Sequence, residues 1–108
     1  MTDNTKSILV LCTFPESASV KTIAETLVNE ELAACVNIIP DVQSIFRWQG
    51  KIDNANENIL IIKTKDNLYN ELEKRIKELH PYKLPEIISV SIEKGLPEYL
   101  DWISESTK

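Results

Sequence analysis

The stretch Asn58-Ile59-Leu60-Ile61-Ile62-Lys63-Thr64 decides the fold. Successive side chains of a strand point to opposite faces, so this run is apolar on both sides until Lys63, as a strand in the middle of a covered sheet must be. Ser7-Ile8-Leu9-Val10-Leu11-Cys12-Thr13-Phe14 reads the same way and is stopped by Pro15. Two further strand regions differ. One runs from Cys35 to about Ile52, broken at Pro40-Asp41; beyond the break Val42, Ser44, Phe46 and Trp48 alternate with Gln43, Ile45, Arg47 and Gln49, one dry face against one mixed face. The other, Glu86 to Ile92, sets Ile88, Val90 and Ile92 against serines. Two central strands and two edge strands are therefore expected.

Working outward, the segments between strands carry helical spacing. After Ser17 and Ser19, either of which suits a cap, Val20, Ile23, Ala24, Leu27 and Val28 form one stripe that fades around Leu32 to Ala34. Asp53-Asn54-Ala55-Asn56 has turn chemistry and predicts the hairpin between the second and third strands. Asp66 or Asn67 then caps a helix whose Leu68, Leu72, Ile76 and Leu79 share a face, and His80 before Pro81 ends it, because a residue before proline resists helical geometry. Gly95 and Pro97 make a turn into a short last helix with Leu100 and Ile103 inward and Tyr99 and Trp102 nearby.

The order is β-α-β-β-α-β plus a terminal helix: an α+β, ferredoxin-like sandwich with an antiparallel sheet. Residues 1–6 read as a disordered polar tail and 7–108 as one domain. In this topology both helices pack on one face of the sheet. The consecutive apolar residues of the central strands leave the other face apolar as well. Burying about four more such side chains at ~1.5–3 kcal/mol each favours association through that face.

Composition excludes several classes. A formal net charge of -5 repels nucleic acid and anionic membrane. The Ile8–Cys12 run is too short for a signal segment, so the cytoplasm is the expected compartment. With one histidine and two glycines, neither a nucleophile–base pair nor a glycine-rich phosphate cradle is visible, and the chain does not read as an enzyme. An RNA-recognition module of the same fold would need stacking aromatics and glycines on the third strand, and Asn58–Thr64 has neither. Cys12 and Cys35 lack CxxC spacing and read as buried thiols in strands.

A set of motifs spread from Ser7 to Trp102 resembles the CutA family of divalent-cation tolerance proteins. They are Leu11-Cys12-Thr13; Leu32-Ala33-Ala34-Cys35-Val36-Asn37-Ile38-Ile39-Pro40; Phe46-Arg47-Trp48-Gln49-Gly50-Lys51; Ile62-Lys63-Thr64; His80-Pro81-Tyr82 with Pro85-Glu86-Ile87; and Tyr99-Leu100-Asp101-Trp102-Ile103. The resemblance implies a PII-like homotrimer that binds rather than catalyses, and a response to metal ions, copper above all. It also implies metal contact at Cys12 and His80, although this chain has Leu79 where some members carry a second histidine.

These two residues offer a soft and a borderline ligand, which suits copper or zinc. A closed site needs more, from Glu86, Asp101 or another subunit. The competing reading makes Cys12 core and His80 a helix terminator. Trp48, Lys63, Tyr82, Glu86 and Trp102 are the candidate cofactor-binding residues, lying where strands end. Lys63 stands out because it interrupts an apolar strand and so seeks a carboxylate or an anionic ligand. Either these residues line an intersubunit cleft for a metal ion or small anion, or Lys63 makes an interface salt bridge with Glu57 or Glu86 and the aromatics are interface anchors. A structural trimer without ligand is the remaining alternative.

Overall fold

The structure is a computed structural model that describes residues 5–108, so Met1 to Asn4 of the expected tail lie outside the described residues. Its elements are β1 (Ser7–Pro15), α1 (Val20–Asn29), β2 (Cys35–Trp48), β3 (Lys51–Lys65), a 3-10 turn (Asp66–Leu68), α2 (Tyr69–Leu79), β4 (Ile87–Ser91) and α3 (Pro97–Glu105). The sheet order is β2-β3-β1-β4, antiparallel throughout. The strands that read as apolar on both faces are indeed the central ones.

The core lies between the sheet and the pair α1 and α2. Ile8, Val10, Cys12 and Phe14 of β1 and Leu60 and Ile62 of β3 pack there with Leu27, Leu72 and Ile76. Both helical stripes face inward as their spacing requires, except that Val28 at the end of α1 stays largely exposed. Glu31 takes a left-handed conformation (φ 59°) just beyond α1, a common helix stop. His80 is extended and closes α2 (φ -90°, ψ 133°).

One local expectation is corrected. The hairpin turn is not at Asp53–Asn56, which lies inside β3. It is Gln49-Gly50, both at positive φ (51° and 80°), between the paired residues Trp48 and Lys51. A two-residue loop of that handedness matches the twist of its flanking strands, and only those two positions let the chain reverse there. At Pro40 the interruption is the edge-strand bulge that a proline within a strand pattern implies. β2 runs through it by a bulge between Ile39 and Val42, with Asp41 at φ 60°.

The consequence is a long ribbon. Fifteen residues of β3 span ~50 Å at ~3.3 Å each, in line with the 52 Å long axis of the molecule. Beyond the bulge no dry face exists within one chain: Ile45, Phe46, Trp48 and Ile52 are all exposed. The face of the sheet away from α1 and α2 carries Leu9, Leu11, Ile59, Ile61, Ile88 and Val90, since each pair in register shares a face. Helix α3 lies over only one end of it, where Lys65 Nζ donates to the carbonyls of Ser104 and Thr107. Ile88 and Val90 are 50% and 51% exposed, so that face is uncovered at β4.

Candidate functional site

The residues singled out by sequence fall into three places. The first is the C-terminal end of β1. Cys12 points into the core and is fully buried. Burial first, then the nearby carboxylates of Glu86 and Glu57, push its thiol up to about 12, so it stays protonated. His80, at the close of α2, stacks on Phe14 with ring centroids 4.1 Å apart. Its Nε2 donates to the Thr13 carbonyl at 2.6 Å, and its Nδ1 accepts the Tyr82 backbone N–H at 3.1 Å. Tyr82 in turn donates its hydroxyl to Glu57 at 2.9 Å. Burial and that hydrogen bond raise the Tyr82 phenol to about 12, and Glu57 is 6% exposed. Cys12, His80 and Tyr82 thus gather around Glu57, with Glu86 near Cys12; Glu57, expected as a partner for Lys63, here accepts from Tyr82.

The second place is the opposite end of the sheet, on the face bordered by α3. Lys63 Nζ donates to Asn37 Oδ1 at 2.6 Å and lies 5.9 Å from the centre of the Tyr99 ring. Tyr99 and Trp102 meet at 5.4 Å. Among the described residues of one chain, no ion pair joins Lys63 to a carboxylate. Glu57 sits on the same strand six residues away, ~20 Å at ~3.3 Å per residue, beyond reach. Asn37 had passed unnoticed inside an apolar strand, although a lone amide between Val36 and Ile38 was a signal. Cys35 pairs with Lys63 across β2 and β3 and is half-buried rather than in the core.

The third place is the ribbon tip, where Trp48 pairs with Lys51 beside the turn and is 45% exposed. Among the described residues, no group of three or more His, Cys, Asp and Glu side chains is gathered as a cation would require. Among the described residues, no helix is long and apolar enough to cross a membrane.

Sequence comparison decides the family. The profile of the CutA1 divalent ion tolerance protein matches residues 8–106. The chain belongs to the CutA1 family. The CutA divalent-cation tolerance protein of Thermus thermophilus is 48% identical over 99 residues, which cover 92% of this chain and 96% of the relative. The chloroplastic CutA protein of Arabidopsis thaliana is 40% identical over 94% of this chain, which spans 56% of that longer protein.

Solved CutA structures superpose closely. That from Thermus thermophilus gives a TM-score of 0.91 at 46% identity over 94% of this chain and 99% of its own. That of CutA1 from Oryza sativa gives 0.92 at 40% identity over 95% of this chain and 94% of its own. The resemblance carried by the motifs and the ferredoxin-like fold both hold.

Proposed function

We propose that this CutA chain serves divalent-cation tolerance in the cytoplasm as a closed, PII-like homotrimer that binds its ligand and does not convert it. The observation that supports this reading is the uncovered apolar face of the sheet, continued by the exposed Ile45, Phe46, Trp48 and Ile52 of the ribbon. Apolar surface on that scale is what a subunit buries against copies of itself.

A divalent ion is the ligand class that the family's description favours, and copper is the one that the motif resemblance adds. In one subunit, however, Cys12 and His80 do not fit a resident ion. The thiol is buried and protonated, whereas a metal ligand is a thiolate. Both imidazole nitrogens already have partners. These side chains are therefore assigned to the fold, and cation response to the assembly. The second reading, a small anion in a cleft between subunits, is favoured by one observation: among the described residues of one chain, the Lys63 ammonium meets only a neutral amide and an aromatic ring.

Calorimetric titration with copper and with zinc tests the assignment in the parent, Cys12→Ser and His80→Ala. Any cation uptake is expected to be the same in all three proteins. Loss of uptake in both variants would make the pair the ligands and overturn it.

A further inference from the structure

We infer that Lys63 and Asn37, walled by Tyr99 and Trp102, form a binding site for a small organic oxyanion, a carboxylate or phosphate carrying a planar or apolar body. The inference rests on the second reading above and names its residues and chemistry. Asn37 fixes the polarity of the site. Its Oδ1 accepts from Lys63 at 2.6 Å and faces the Cys35 thiol at 4.0 Å. The amide is therefore oriented with its Nδ2 protons away from the lysine. The remaining N–H groups of Lys63 and those of Asn37 then present only donors.

No carboxylate among the described residues competes for these donors. The contrast with Lys65, two residues along the same face, is informative. Lys65 is spent on the backbone carbonyls that end α3, at 3.2 and 3.5 Å. Lys63 ends nothing. A half-buried lysine that interrupts an apolar central strand and, among the described residues, meets a neutral acceptor leaves the opposite charge to be supplied from outside its own chain. An oxyanion supplies that charge and accepts charge-assisted hydrogen bonds.

The neighbouring aromatics define the rest of the ligand. Tyr99 and Trp102 meet at 5.4 Å with their planes 33° apart. They remain 40% and 41% exposed beside the ammonium, held there by the buried Ile103 on the same helix. A bare inorganic anion has no use for such a wall, whereas a flat or apolar body packs on it.

The test is a nuclear magnetic resonance titration of the full chain with benzoate, acetate and inorganic phosphate at constant ionic strength. It follows the Asn37 side-chain amide and the Trp102 indole N–H. Saturable shifts are expected with benzoate at lower concentration than with acetate, and the phosphate arm separates the two sources of oxyanion. Lys63→Met should weaken binding about tenfold, the worth of one charge-assisted hydrogen bond, and Lys63→Arg should retain most of it. Asn37→Leu gives a second, uncharged variant with the same expectation. Absence of saturable shifts with every probe, or an affinity unchanged from the parent in both Lys63→Met and Asn37→Leu, overturns the site. Light scattering on the same samples separates this result from the assembly. A trimer that binds no probe overturns the site alone, and Lys63-dependent binding by a monomer supports the site while overturning the trimer.

Discussion

His80 donates through Nε2 to the carbonyl oxygen of Thr13 at 2.6 Å. That bond ties the end of α2 to the end of β1 and fixes the proton on Nε2, leaving Nδ1 as the acceptor for the Tyr82 N–H. A second proton on the ring would turn Nδ1 into a donor facing a donor. The loop from Pro81 to Glu86 is held in part by this single acceptor.

The first prediction concerns acid. Burial lowers the His80 pKa, and the Thr13 bond and the Glu57 carboxylate only partly oppose it. A group whose folded pKa lies below its unfolded value gives stability that is complete above the unfolded value, ~6.5. That stability is lost as pH falls through the folded value. As the only histidine, His80 is followed without ambiguity by its ring proton resonances. A titration midpoint below ~6.5 is expected, with the urea midpoint falling as the ring protonates. A titration midpoint at or above that value contradicts the burial of the ring as the dominant influence on it.

The second prediction concerns thiols. With its pKa at about 12, Cys12 is only ~10⁻⁴ thiolate at pH 8, by the definition of the pKa. It should resist alkylation in the native protein and react once guanidinium unfolds the chain, as read by mass spectrometry of the labelled peptide. Rapid native labelling of Cys12 would place its sulfur outside the core.

Most of the fold was legible because central and edge strands differ in chemistry: Ile59 to Ile62 is apolar on both faces, whereas Ile88 and Val90 alternate with serines. What escaped depends on backbone conformation. Asp53-Asn54-Ala55-Asn56 carries turn residues, yet Gln49 and Gly50 take the positive φ values that make the turn. Phe46 and Trp48 looked like a dry face because alternation states which residues share a side, not whether anything packs on it. At the site, Cys12, His80, Lys63 and Tyr82 were named by residue type. Glu57 and Asn37, which bind Tyr82 and Lys63, are brought in by strand register across distant segments.

Register also gives adjacent residues opposite roles. Leu60 is fully buried under the helices, while Ile61 lies on the other face. Leu60→Asp should unfold the subunit, since an unpaired buried charge costs several kcal/mol. Ile61→Asp should keep the circular dichroism of the fold and lose the assembly. Unfolding by both, or by neither, would contradict the two-faced reading.

Trp48 near the ribbon tip is poised as an anchor for another subunit. Trp48→Ala should weaken association by ~2 kcal/mol or more while leaving subunit secondary structure intact. Equilibrium sedimentation over a dilution series reads this directly. A variant that stays assembled at the same dilution as the parent would show that the ribbon does not clasp its neighbours.

The central claim is that the uncovered sheet face closes against copies of this chain. Multi-angle light scattering at micromolar concentration measures that most directly. The account predicts a single species of three times the 12.3 kDa chain mass. A monodisperse species at the chain mass itself would contradict it.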